Sequence, residues 1–195
     1  MEGIVFGESP RWHDGRVWFS DWGAHQVIAL DPGGRSEVIV SVPSFPMCID
    51  FLPDGRLLVV DSARRRLLRR EPDGSMVAHA DLAPFSLKPW NEVVVDADGR
   101  TLVVAESHAN RLTAFDIGPD GGLDGRRVWA DTVGDHPDGI CLDDEGAIWY
   151  ADVGTGRCVR VRVGDDRARI GGIVDYQGIK RPADQCAEKR LRNEI

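Results

Sequence analysis

The chain has 195 residues, 42% of them hydrophobic, with 32 acidic against 24 basic residues and a formal net charge of −8. This is enough apolar content for one domain with a sizeable core, while a net negative field repels nucleic acid and anionic membrane surfaces. No stretch approaches the roughly 18–20 apolar residues that span a bilayer, and the opening MEGIVFGESPRW has neither the basic nor the apolar region of a signal peptide.

The first apolar run lies at 16–19, after the turn pair Asp14-Gly15, and ends at Ser20-Asp21. A second run follows at 27–30, a turn at Pro32-Gly33-Gly34, and a third run at 38–40. The same order then repeats. A short run at 48–51 precedes Asp54-Gly55, and 56–60 ends at Asp61; after it come Leu67-Leu68, the turn Pro72-Asp73-Gly74 and a run at 76–78. Next, 93–95 precedes Asp98-Gly99, and 100–105 ends at Glu106, with runs at 112–115 and 127–129 around Pro119-Asp120-Gly121. The last copy is Glu145-Gly146, 147–151 ending at Asp152, then 159–161. The turn pairs are 40, 44 and 47 residues apart (14 to 54, 54 to 98, 98 to 145). Gly accepts positive φ at little cost, so Asp-Gly pairs close hairpins. Four short strands per unit of this length is the arithmetic of a propeller blade. The expected fold is all-β, a β-propeller with four recognisable blades over residues 1–164, with almost no helix. Residues 165–195 are charged and break the pattern, and are expected to be an irregular or helical tail.

Repeat symmetry brings equivalent residues to equivalent heights around a propeller axis. Glu8 and Cys48 lie six residues before their turns, Asn91 and Asp138 seven before theirs. These positions open the first strand of each blade, the one nearest the channel, so Glu8, Asn91 and Asp138 are expected to converge. Two carboxylates and an amide oxygen make a hard, oxygen-only set suited to Ca²⁺, Mg²⁺ or Mn²⁺, with Zn²⁺ less natural in the absence of His or Cys. The bland alternative is that Asp and Asn before Gly only make turns, as Pro137-Asp138-Gly139 would on its own.

Gly7-Glu8-Ser9-Pro10-Arg11-Trp12, Lys88-Pro89-Trp90-Asn91-Glu92, Ala105-Glu106-Ser107 and Pro137-Asp138-Gly139-Ile140-Cys141-Leu142-Asp143 together resemble the senescence-marker protein / gluconolactonase / luciferin-regenerating enzyme family. The resemblance runs from about residue 5 to 163. It implies a six-bladed propeller that binds Ca²⁺ or Zn²⁺ and hydrolyses sugar lactones and related esters. Glu8 and Asp138 match two of the family's three metal ligands. The third, an Asn in a Pro-Asn-Gly motif, has no counterpart. Asn91 resembles a substrate-contacting Asn and by repeat position stands in for the lost ligand. Relative to the family, a middle blade and the C-terminal blades are missing, so the propeller is expected to be incomplete or to self-associate through its open edges. The implied chemistry is hydrolysis of a metal-polarised lactone carbonyl by water, with Asp138 as the base and Asn91 orienting substrate.

The rival readings are a non-catalytic or degenerate binding module, and an esterase or phosphotriesterase on the same scaffold. A Ser-triad hydrolase has no GxSxG elbow here, and Ser107-His108 read as neighbours on a strand pointing to opposite faces. Arg64, Arg65, Arg66, Arg69 and Arg70 are expected to form a solvated turn and edge strand rather than a nucleic-acid patch. Trp22 and Trp90 read as core rather than as walls of a sugar pocket. Cys48, Cys141, Cys158 and Cys186 lack metal-site spacing and are expected to be reduced and mostly buried, which makes a cytoplasmic protein the expectation.

Overall fold

The Asp14-Gly15 pair closes the first hairpin. Both residues have positive φ, +49° and +70°, and His13 pairs with Arg16 across them, which is the two-residue turn whose twist matches that of the flanking strands. The computed structural model describes residues 2–85, 88–132, 134–162 and 173–175. The chain divides into two compact units, Met1–Pro89 and Trp90–Ile195.

The first unit holds two antiparallel sheets. One comprises β1 (Gly7–His13), β2 (Arg16–Asp21), β3 (Gln26–Leu30) and β4 (Ser36–Ser41). The other comprises β5 (Ile49–Phe51), β6 (Leu57–Asp61), β7 (Arg66–Arg70) and β8 (Met76–Asp81). The second unit repeats the plan with β9 (Glu92–Val95), β10 (Thr101–Glu106), β11 (Arg111–Ile117) and β12 (Leu123–Asp131), then β13 (Pro137–Leu142), β14 (Ile148–Asp152), β15 (Arg157–Val161) and β16 (Ile173–Asp175). In each sheet the strands lie in sequence order. Each sheet is one blade, so the chain is an all-β, four-blade β-propeller, as the repeat implied. The only helical turns among the described residues are two 3-10 turns, Ser62–Arg64 and Ser107–Ala109.

Each unit is cemented by one core between its two blades. Trp18, Val27 and Ala29 meet Ile49, Val59 and Leu68 in the first. Val94, Val103 and Leu112 meet Ile148, Tyr150 and Val159 in the second. Each fully buried Val, Leu or Ile contributes about 1.5–3 kcal/mol. Strands β6 and β10 are buried on both faces, so their sequences run apolar instead of alternating. The outer strand β4 is mostly exposed and carries Glu37 on its edge.

Three expectations are refined. Strand β16 pairs with β15, Cys158 opposite Val174, so a strand stands where an irregular or helical tail was expected from 165; the rest of 165–195 lies outside the described residues. Strand β7 lies between β6 and β8 and is not an edge, and two of its arginines are paired: Arg66 with Asp61 at 2.9 Å and Arg69 with Glu71 at 2.6 Å. Ser107 and His108 sit in a 3-10 turn rather than on a strand. Cys48, Cys141 and Cys158 are free and buried; Cys186 lies outside the described residues. Among the described residues, no helix is long and apolar enough to cross a membrane.

Candidate functional site

The acidic residue that ends the second strand of every blade is structural. Asp21, Asp61, Glu106 and Asp152 are all buried. Asp21 accepts from the backbone N–H groups of Val5, Phe6, Gly23 and Ala24 at 3.0–3.2 Å. Asp61 accepts from Arg64 N at 3.3 Å and pairs with Arg66. Glu106 is held by Arg111 through two 3.0 Å bonds and by the Thr113 hydroxyl at 2.5 Å. Asp152 accepts from His136 N at 2.9 Å, Gly154 N at 3.0 Å and the Thr155 hydroxyl. A buried carboxylate is tolerated only when its lone pairs are filled in this way. Asp21, Asp61 and Asp152 therefore anchor the strand-connecting loops, and Glu106 ties its strand to β11.

The next residues lie at the starts of the first strands. Glu8 follows Gly7, which pairs with Asp21; Asp138 follows Pro137, which pairs with Asp152. In both strands a β-bulge comes next, between Glu8 and Arg11 and between Pro137 and Ile140. A bulge bends its strand and re-aims the side chains beside it, and bulges are enriched next to functional sites. At the first bulge Ser9 adopts φ +55°, and its hydroxyl is tied to Ile49 by bonds of 2.9 and 3.2 Å.

In the second unit the expected neighbours meet. The Asn91 amide donates to the Asp138 carboxylate through Nδ2 and Oδ1. Both side chains are partly exposed. Burial pushes the Asp138 carboxyl above the usual carboxylate range. Asn91 lies one register step from the position expected. Glu92 pairs with Ala105, the residue before Glu106, as Glu8 pairs with Ser20, the residue before Asp21. Glu92, not Asn91, is thus the register counterpart of Glu8; its side chain is buried and accepts from Val93 N at 3.0 Å. Glu8 is partly exposed and belongs to the first unit.

Among the described residues no three His, Cys, Asp or Glu side chains are grouped so as to hold a metal ion. The donors that do meet, one carboxylate and one amide, are both hard oxygen ligands once the amide presents Oδ1, and they suit a hard cation whose remaining ligands come from solvent or substrate. They do not suit a site needing thiolate or imidazole.

The sequence matches the family described as the SMP-30/Gluconolactonase/LRE-like region over residues 6–103 and 84–170. The chain belongs to this family. Regucalcin from Danio rerio is 36% identical over 135 residues, covering 68% of this chain and 40% of the relative, and regucalcin from Xenopus laevis is 30% identical over 123 residues. The chain thus spans 40% of the length of the regucalcins it matches. Among solved structures, a luciferin-regenerating enzyme aligns with TM-score 0.62 at 15% identity, covering 89% of this chain and 77% of that one. A regucalcin from Agrobacterium tumefaciens, described as a calcium-binding protein, aligns with TM-score 0.55 at 18% identity over 89% of this chain and 75% of its own. At these identities the structural matches speak for the propeller fold alone.

For this SMP-30/gluconolactonase family member, the residue that sequence reasoning passed over is Glu92. It was visible beside Asn91, but the count back from the turn does not reveal strand register. The bulges were equally hidden. Their one signal is the pairing of Glu8 with Ser9 and of Asp138 with Gly139, a short residue after the acid.

Proposed function

We propose that this chain is a metal-dependent hydrolase of sugar lactones or related esters, with Asp138 as the base that activates water. The observation that supports it most is the half-buried Asp138 carboxylate, hydrogen-bonded to Asn91 at the start of a bulged first strand. Desolvation raises the basicity of this carboxylate, which brings it closer to the range where a carboxylate accepts a proton from water near neutral pH. Family membership supports the substrate class.

In this reading Asp138 takes a proton from water as the water oxygen bonds to the lactone carbonyl carbon. The ring C–O bond then breaks, and the same proton passes to the departing ring oxygen, leaving the open hydroxy acid. Asn91 holds Asp138 in position and offers its amide to substrate. Asp138 and Asn91 would hold a divalent cation, Ca²⁺ first among the candidates. Glu8 is assigned to the same function by its place in the family motif. Such a cation, when bound, supplies Lewis-acid polarisation of the carbonyl.

The test is the initial rate of δ-gluconolactone hydrolysis by pH-stat, before and after chelation and on adding back Ca²⁺, Mg²⁺, Mn²⁺ or Zn²⁺. The expected result is a rate lost on chelation, restored by one of these ions, and lowered about 10²–10⁴-fold by Asp138→Asn. Glu8→Gln is expected to lower it in the same assay. A rate that ignores Asp138→Asn would contradict the assignment. Ion binding by calorimetry with no turnover of any lactone or ester would make the chain a cation-binding module rather than an enzyme.

A further inference from the structure

We propose that Ser107 is a positioning residue of the site: its hydroxyl pins the peptide unit that carries Asp138, and so keeps the Asp138 carboxylate on the Asn91 amide. The inference rests on the reading of Asp138 as the base and deepens it. Ser107, Asn91 and Asp138 all belong to the second unit.

Strand β13 needs such a pin. Pro137 pairs with Asp152, and the ladder resumes only at Ile140 opposite Tyr150, so Asp138 and Gly139 fall in the gap. A bulge disrupts the ladder locally, so its strand neighbour does not fix the residues within it. The first unit has a bulge in the same place, after Glu8, and there the next residue ties it down. The Ser9 hydroxyl accepts from Ile49 N at 2.9 Å and lies 3.2 Å from Ile49 O. In β13 the residue after the acid is Gly139, which has no side chain to make that tie.

Ser107 makes it from the neighbouring blade. Its hydroxyl donates to Pro137 O at 2.5 Å, the oxygen of the peptide unit whose nitrogen belongs to Asp138. A peptide unit is planar, so holding this oxygen also sets the direction in which the Asp138 backbone leaves. Ser107 is itself held. It opens the 3-10 turn Ser107–Ala109 and follows Glu106, which Arg111 and Thr113 fix. The other half of the pair hangs from the same segment, since Asn91 N donates to Ala105 O at 3.1 Å. Ala105-Glu106-Ser107 thus holds Asn91 at one end and the Asp138 peptide at the other, and the Asn91–Asp138 bond closes the circuit. A similar clamp stands in the first unit, where Trp22, the residue after Asp21, donates its indole N–H to Met47 O at 2.5 Å. The residue after Met47 is the fully buried Cys48, so that clamp is a strut. After Pro137 comes the acid, and the same device sets the aim of a carboxylate.

The test compares wild type with Ser107→Ala, Ser107→Val and Ser107→Thr by two readouts. One is kcat and KM for δ-gluconolactone. The other is the side-chain amide resonances of Asn91 in the metal-free, ¹⁵N-Asn-labelled protein, assigned by their loss in Asn91→Ala. Val and Thr have nearly the same shape, so the pair separates the hydroxyl from added bulk. Misplacing a catalytic group by about 1 Å costs up to about 10²-fold. The expected result is a kcat lowered by about 10- to 10²-fold in the Ala and Val variants with KM unchanged, and restored in Ser107→Thr. The Asn91 resonances should move towards their positions in Asp138→Ala in the first two variants and stay in place in Ser107→Thr. Wild-type kcat in Ser107→Ala and Ser107→Val overturns the proposal. So does a loss in Ser107→Thr equal to that in Ser107→Val, or a loss of kcat with the Asn91 resonances unmoved. The NMR readout also separates this inference from the hydrolase reading. If wild type turns over no lactone, the hydrolase reading fails and the Asn91 resonances alone decide the clamp. Turnover that needs Asp138 but is indifferent to Ser107 leaves the hydrolase reading standing and removes the clamp.

Discussion

Replacing Asp152 by Ala removes a buried carboxylate that accepts from His136 N, Gly154 N and the Thr155 hydroxyl and lies 3.5 Å from the Arg157 guanidinium. Burial disfavours its ionisation, but the hydrogen bonds from His136, Thr155, Gly154 and Arg157 outweigh this and hold the carboxyl below its usual range. The variant strands two backbone donors, His136 N and Gly154 N, around an apolar methyl, while Arg157 keeps its 2.9 Å bond to Asp135. Each buried donor left unsatisfied costs about 1–3 kcal/mol, so the two together cost about 2–6 kcal/mol, a large part of a typical stability of about 5–15 kcal/mol. At about 2–4 °C per kcal/mol for a chain of this size, the melting midpoint should fall by roughly 10 °C. The assay is urea and thermal unfolding followed by tryptophan fluorescence. Asp73→Ala is the control: Asp73 also accepts two bonds, from Ser75 N at 2.9 Å and the Ser75 hydroxyl at 2.7 Å, but at the surface, and should cost no more than about 0.5 kcal/mol. A pH series adds a sign. Since the folded carboxyl titrates below its unfolded value of about 3.9, its stabilisation is present above that pH and is lost as pH falls through the folded value. The gap between wild type and Asp152→Ala should therefore close on acidification. A loss below about 1 kcal/mol, no more than one ordinary hydrogen bond, or a gap that does not narrow, would refute the anchoring role.

Three further outcomes follow from the geometry. Asp138→Asn should melt higher than wild type at pH 7 and converge with it below about pH 4, the unfolded carboxyl's range, because a carboxyl whose folded pKa is raised costs stability as pH climbs through that value; scanning calorimetry across pH reads this. Tyr150→Phe should cost about 1.5–3 kcal/mol in urea unfolding, since its hydroxyl donates to the Asp135 carboxylate at 2.7 Å in a buried setting. Asn110→Ala should cost about 1–2.5 kcal/mol, from a left-handed φ of +52° that Ala resists and a lost 2.5 Å bond to Asp135 O, with Asn110→Gly recovering part of it.

The blades were legible because their punctuation is chemical. Gly55, Gly99 and Gly146 all take positive φ, and a turn that needs a glycine announces itself in the sequence. The left-handed residue before each third strand was not announced. His25, Arg65, Asn110 and Gly156 all fill that slot with φ of 50–70°, so residue type there does not reveal it. The roles of Asp21, Asp61, Glu106 and Asp152 were hidden for a different reason. Their recurrence was plain, but a carboxylate that holds a loop and one that does chemistry look alike until their donors are known. The same limit acted on the site. Counting six or seven residues back from a turn cannot separate Asn91 from Glu92, because a bulge adds a residue to β1 and β13 and none to β9. Asn91 and Asp138 do meet through a hydrogen bond, but the register step that separates Asn91 from Glu92 was not visible in the count.

The central claim is that Asn91 and Asp138 work as one unit on a lactone carbonyl. The direct measurement is a double-variant cycle on δ-gluconolactone hydrolysis, with kcat/KM for wild type, Asn91→Ala, Asp138→Asn and the pair. Residues acting together are non-additive, so the double variant should be no slower than Asp138→Asn alone. Effects that simply multiply, or four indistinguishable rates, would contradict the account.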